Sequence, residues 1–303
     1  MSNRRNGDAH TCTKSKITKQ IVIPFSVMGP TGAGKSTFIN ALLQDNSMKV
    51  GHKLRSCTKD LSVARINSFP GLPSSFHLLI VDTPGFDDTF ETDEEVLRCI
   101  AEWLKKAGMS VGGVIYLHDV SIDRFTGTAQ RNLEMLEHMC GEAALPKVIL
   151  GTTKWAVLSK PEIASAHEAE LQEQHWLPLT EKGSTVQRFE DTHESAKTFL
   201  DTILLNFRRD NLCEIALQIQ HELAVDKKII PETEAGKKLR YTLRELKEIV
   251  EEQKRRQASK AGNGDPEARA SLDELQQKIE KIKQQIRNLK IPIGRRLRSF
   301  LGF

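Results

Sequence analysis

The chain has 303 residues, a formal net charge of +4, 39% apolar residues and 28% charged ones. That length holds one α/β domain of ordinary size plus an extension, or two small domains, and the charge is too small to argue for nucleic acid, which is not an expected partner. Five scattered cysteines without a CxxC pair suggest neither a zinc site nor a disulfide framework, and no run approaches the ~18–20 apolar residues of a membrane span.

Residues 1–19 are polar, read as a disordered segment and lack the apolar region of a signal peptide. With the scattered cysteines, they lead us to expect a cytoplasmic protein, soluble or peripheral to a membrane. From 20 to 208 strand and helix patterns alternate. Strands are predicted at 21–28, 61–69, 76–82, 112–118, 147–152 and 184–190, and helices at 35–44, 92–107, 127–140, 161–176 and 192–208. Such alternation predicts an α/β fold with a mainly parallel sheet covered on both faces, its ligand at the carboxyl ends of the strands. Residues 209–229 continue as a helix until Pro231 interrupts. Two charged helices follow, about 233–260 and 267–290, separated by the breaker-rich loop 261–266. The second carries Leu272, Leu275, Ile279, Ile282, Ile286 and Leu289 at coiled-coil spacing, and the first a shorter stripe at Leu239, Leu243, Leu246 and Val250. Three arrangements satisfy these stripes: an antiparallel hairpin within 209–290, a dimeric coiled coil, or helices packed on the preceding domain.

Gly29-Pro30-Thr31-Gly32-Ala33-Gly34-Lys35-Ser36 fits G-x-x-x-x-G-K-[ST] in full and lies between a predicted strand and a predicted helix that opens at Lys35-Ser36-Thr37. In that context the backbone N–H groups of a glycine loop wrap a polyphosphate. Lys35 neutralises the outer phosphates, and the Ser36 hydroxyl can hold Mg²⁺. Asp82-Thr83-Pro84-Gly85 closes the strand 76–82. There Asp82 can hold Mg²⁺ through a water and the Gly85 N–H can face a γ-phosphate. Thr58 lies between the first helix and the next strand, where a hydroxyl reaches Mg²⁺ only when the γ-phosphate is present. An ordinary loop threonine is the alternative. The fold expectation is therefore a P-loop NTPase with a helical, coiled-coil-like carboxyl-terminal extension.

P-loop, Thr58 and D-T-P-G in this order resemble the TRAFAC GTPases. Phe86 after D-T-P-G resembles their septin-like, paraseptin side, which includes the immunity-associated and chloroplast import-receptor GTPases. The likeness to the immunity-associated type covers roughly 20–208. Ser56-Cys57-Thr58-Lys59 is similar to that family's threonine switch, and Asp123-Arg124-Phe125-Thr126 falls on its Gly-Arg-Phe-Thr-like box. The run Gly113 to His118, with Arg124 and Gly127, resembles fungal G-domain proteins of unassigned activity. The resemblance implies GTP/GDP and Mg²⁺ as ligands and a homodimer through the G domain. It also implies a base-reading motif at Thr153-Lys154-Trp155-Ala156 and a last base loop near 191–196.

Two residues depart from that pattern. Ala156 stands where a guanine-reading site has an Asp that accepts from the base. Its loss removes a few kcal/mol of discrimination, and Glu162 is the nearest acid in sequence. Lys154 can still stack along the base, and Trp155 can help to cover it. Phe86 stands where Ras-like enzymes have the Gln that orients water, so a lone domain should hydrolyse slowly. The resemblance makes Arg124 a candidate catalytic charge supplied in trans, beside the alternative of a surface Arg that holds its own loop. His118, at a strand end, is read first as a structural hydrogen-bonding residue. Residues 291–303 mix Arg with Leu and Phe and hold no acid, which suits a membrane interface, an acidic protein groove or packing on the domain. The helical extension is a further candidate surface for a protein partner.

The sequence thus points to a GTP-binding switch with slow hydrolysis. The alternatives are an assembly or scaffold protein with negligible turnover, or a switch of relaxed base choice that includes ATP.

Overall fold

The computed structural model describes residues 21–45, 62–66, 69–70, 72, 76–85, 92–107, 111–209, 215–260 and 266–295. Thr58 and Phe86 lie outside the described residues. So do the termini and the loop 261–265.

Six strands form one sheet: β1 (Ile21–Met28), β2 (Ser62–Ile66), β3 (Phe76–Asp82), β4 (Gly113–Asp119), β5 (Val148–Thr153) and β6 (Thr185–Arg188). Their order is β2-β3-β1-β4-β5-β6, with β2 antiparallel to β3 and every other pairing parallel. β4 and β5 are buried along their whole length, as apolar strands covered on both faces must be. On one face lie α1 (Lys35–Leu43) and α6 (His193–Arg209), where Phe38 meets Phe189 and Phe199 edge-on at centroid distances of 5.2 and 5.1 Å. The other face carries α2 (Asp93–Ala107) and α3 (Gly127–Cys140). Every crossover runs from the carboxyl end of one strand through a helix to the next. The loops after β1, β3, β4 and β5 therefore gather at one edge, where the site is built.

Two expected elements differ. The helix predicted over 161–176 is α4 (Pro161–Glu170), then one wide π-helical turn at Leu171–His175, then the short α5 (Leu177–Thr180). The wide turn closes with the Trp176 N–H donating to the Leu171 carbonyl at 2.7 Å. It brings the fully buried Trp176 into the core, which a regular helix would have turned elsewhere. The helix predicted over 209–229 is also broken. Residues 215–217 are irregular and α7 spans only Gln218–Ala224, because Leu217 and Ile219 are drawn into the core beside α2 and α3.

Two long helices complete the chain, α8 (Glu234–Lys260) and α9 (Pro266–Asn288). The buried Glu222 carboxylate on α7 accepts from the Glu234 N–H at 3.2 Å and from Lys228 at 2.9 Å. The Thr233 hydroxyl accepts from the Gly236 N–H at 3.0 Å. Together they satisfy two of the free amides at the start of α8, those of Glu234 and Gly236. The two helices lie antiparallel: Arg240 donates to the Leu289 carbonyl at 3.2 Å, and Lys254 to Gln276 at 2.6 Å. Leu239, Leu243, Val250, Ile279, Ile282 and Leu289 are buried in the cluster that also holds Leu133 and Leu136 of α3. A Lys238–Glu134 ion pair at 2.8 Å and an Asn288–Glu94 hydrogen bond at 3.1 Å add polar links to α3 and α2. Helices α8 and α9 thus pack on each other and on the sheet-covering layer at once.

Candidate nucleotide-binding site

The loop between β1 and α1 is shaped by its glycines. Gly29, Gly32 and Gly34 have φ of 140°, 84° and 88°, values that side-chain-bearing residues rarely adopt. Gly29 also lies so close to β4 that a Cβ there would sit 2.3 Å from the Leu117 carbonyl oxygen. Lys35 is buried, and its ammonium donates to the carbonyls of Gly29 and Pro30, each at 2.9 Å, curling inside the loop. These are donors that a phosphate could take over.

Ser36, one residue into α1, donates to Asp82 Oδ2 at 3.1 Å. The other oxygen of that carboxylate, Oδ1, is buried and has no hydrogen-bond partner among the described residues. Burial pushes the Asp82 carboxyl above its ordinary range, against the pull of Lys35 and Ser36. A buried acceptor left over beside a hydroxyl fits a hydrated divalent cation, which would satisfy the free oxygen and offset the burial penalty. Thr83 anchors the D-T-P-G segment: its hydroxyl donates to the Val27 carbonyl at 2.8 Å. Gly85 then abuts the glycine loop so tightly that a Cβ would lie 2.5 Å from Thr31 Oγ1. Gly29, Pro30, Thr31, Gly32, Ala33, Gly34, Lys35, Ser36, Asp82 and Gly85 are therefore neighbours, and Thr37 continues α1 from them.

The third side comes from β5. Thr153 donates to the Ala33 carbonyl at 2.9 Å, tying this strand to the glycine loop. Lys154, in a left-handed conformation at φ 62°, pairs with Asp119 at 2.6 Å. Asp119 also accepts from the Ser121 N–H and hydroxyl at 2.9 and 2.6 Å, which fixes the first turn after β4. Trp155 does not face the space beside Lys154. Its indole N–H bonds to Thr152, and its ring lies under Arg188 at 4.1 Å, part of a cluster in which buried Glu168 receives Arg188 and Thr152. Ala156 and Glu162 are both exposed. Within 191–196, partial burial raises the Asp191 carboxyl above its ordinary range, against the smaller downward pull of the Lys154 charge.

The loop from β4 to α3 supplies the rim. Arg124 is exposed and has no hydrogen bond or ion pair among the described residues. It borders a cleft of about 370 Å³ shared with Pro30 to Ala33, Asp119 and Lys154. Its neighbours are held. Phe125 stacks on His175 at 3.9 Å, and the Thr126 hydroxyl caps α3 by accepting from the Ala129 N–H at 3.1 Å. His118 packs its ring against Phe125 and Trp176 rather than making the hydrogen bond expected of it. Its Nδ1 is buried without a partner among the described residues, and burial pulls its pKa down to about 4. Asp119 escaped the sequence reading. Its signal was a polar residue ending an otherwise apolar strand at the ligand edge of the sheet.

Residues 23–170 match the model of the AIG1 family. That segment, just under half of the chain, holds the glycine loop, Asp82, Gly85, Arg124 and the Thr153-Lys154 pair. Among solved structures, the chain resembles Toc33 from Arabidopsis thaliana in complex with GDP and Mg²⁺. The identity is 16% and the TM-score 0.50, over 62% of this chain and 85% of that one. A second Toc33 structure, a dimerization-deficient mutant, gives 15% identity and a TM-score of 0.50 over 62% and 86%. These likenesses show the P-loop α/β fold. No curated protein matches.

Proposed function

We propose that this protein binds GTP and hydrolyses it slowly to GDP and phosphate, acting as a nucleotide-dependent switch that is activated when two copies meet across the cleft. The observation that carries this reading is the convergence of Lys35, Ser36, Asp82 and Gly85 on one glycine loop, with a buried carboxylate oxygen unsatisfied among the described residues. Lys35 holds the β- and γ-phosphates. Ser36 is a direct Mg²⁺ ligand, Asp82 acts through a water, and Thr58 joins in the triphosphate state. When bound, Mg²⁺ neutralises phosphate charge. The Gly85 N–H senses the γ-phosphate, and Lys154 carries the base beside Thr153.

Arg124 is the catalytic charge for the partner copy. It sits at the cleft rim with its guanidinium unpaired among the described residues, on a loop held from both sides. A dimerization-deficient mutant of Toc33 is among the similar structures, which makes a homodimer the natural assembly to test. The whole chain is read as an AIG1-type, septin-like GTPase working in the cytoplasm. The helical region serves as a surface for a protein partner, and residues 291–303 make a peripheral membrane contact.

Turnover measured across a range of protein concentrations tests this. Specific activity should rise with concentration in the wild type and stay flat in Arg124→Ala, with nucleotide affinity unchanged. An Arg124→Ala protein that keeps the concentration dependence contradicts the trans role. Ala156 favours a second reading, because an exposed methyl accepts nothing from a base: a nucleotide switch of relaxed base choice that includes ATP.

A further inference from the structure

From Lys281 onward the sequence holds seven cations and no carboxylate. Of its described cations, Arg295 pairs with Glu232, while three others line one place. Lys283, Arg287 and Lys290 of α9 and its exit share a groove of about 350 Å³ with Arg244 and Lys247 of α8. Glu248 is the one acid lining it, and Ile286 forms its apolar floor. Local compensation is thin. Lys283 pairs with Glu280 at 2.9 Å and Lys247 with Glu251 at 3.9 Å, one turn away on the same helices. Arg244 and Lys290 make no ion pair among the described residues. A fold gains nothing by gathering like charges in a groove, since each raises the cost of its neighbours.

We infer that this groove is a docking site for an anionic membrane surface, its cations taking the phosphate-bearing headgroups of the leaflet. Three observations favour a bilayer over other polyanions. No aromatic ring lines the groove, so it lacks the stacking platform of a single-strand nucleic acid site. The chain leaving it carries Ile293, 75% exposed. The sequence then interleaves Arg296 and Arg298 with Leu297, Phe300, Leu301 and Phe303, a pattern that suits the headgroup–acyl boundary. The inference rests on the membrane reading of 291–303 and adds to it a separate site, the groove between α8 and α9. Because the groove opens between helices packed on the sheet-covering layer, docking there would hold the nucleotide domain at a set position relative to the membrane.

Sedimentation of the full-length protein with vesicles tests it. Neutral phosphatidylcholine vesicles are compared with vesicles containing one third phosphatidylserine, at low and physiological salt. The wild type should bind only the anionic vesicles, and more weakly as salt rises. Arg244→Glu/Arg287→Glu should lower that binding by about tenfold or more. Should that pair disturb the thermal transition, Arg244→Gln/Arg287→Gln should lower binding severalfold with the transition unchanged. Truncation after Arg295 separates the two readings. If it binds as the full chain does while the groove variants do not, the groove stands and the tail contact falls. Equal binding by folded groove variants overturns the inference, as does a wild type that ignores anionic vesicles or is retained only by an RNA homopolymer.

Discussion

Three residues near the cleft are held in states that make measurable demands. Gly29 combines φ of 140° with a β4 carbonyl where its Cβ would go, so Gly29→Ala must move backbone as well as accept strain. It should cost about 2–4 kcal/mol in a denaturant titration. Asp82 is destabilised as a carboxylate in the ligand-free protein, its folded pKa lying above the unfolded one. Ionising it therefore subtracts stability as the pH rises, and Asp82→Asn should leave the free protein as stable as the wild type or more so at neutral pH. The same change should lower Mg²⁺-dependent nucleotide affinity by about tenfold or more, which titration with and without Mg²⁺ reads directly. His118 runs the other way. Its folded pKa of about 4 lies below the unfolded value near 6.5, so the unfolded chain takes up the proton first and stability falls as the pH drops between those values. The loss is at most about 3 kcal/mol. His118→Phe, which keeps the ring contacts with Phe125 and Trp176, should flatten that part of the stability–pH curve.

Among the elements, strands and helices of the α/β part were legible wherever one period dominated. The helix expected at 127–140 runs Gly127–Cys140, and the strand expected at 76–82 runs Phe76–Asp82. Sequence failed where tertiary demands overrode local pattern. Nothing nearby announces the π turn at Leu171–His175, because its cause is the deep burial of Trp176. The break before α7 likewise answers to Leu217 and Ile219 entering a core assembled from distant helices. The chemistry of the site divides in the same way. Gly29 to Ser36 and Asp82 to Gly85 could be read as motifs because contiguous backbone forms them. The Asp119–Lys154 pair and the Trp155–Arg188–Glu168 cluster join residues far apart in the chain, which one sequence does not connect. Ile282 offers a quantitative check on the helical region. It is buried in the cluster that joins α8 and α9 to α3, so Ile282→Ala should cost about 2–4 kcal/mol and lower the thermal midpoint. A cost below about 0.5 kcal/mol would mean that the two helices do not share the core of the sheet.

At the scale of the whole molecule, the carboxyl-terminal edge of the sheet gathers Lys35, Ser36, Asp82, Gly85 and Lys154 from the ends of β1, β3 and β5, the residues proposed to take phosphate, cation and base. The loop after β4 presents Arg124 outward at the same edge. No described helix is long and apolar enough to cross a membrane. The account therefore depends on what occupies that edge. Equilibrium binding of non-hydrolysable GTP and ATP analogues in the presence of Mg²⁺, with Lys35→Ala as the control, tests it most directly. The account predicts that the GTP analogue binds more tightly than the ATP analogue and that Lys35→Ala abolishes binding of both. Equal or ATP-favoured binding would contradict the guanine assignment, and wild-type affinity in Lys35→Ala would contradict the site itself.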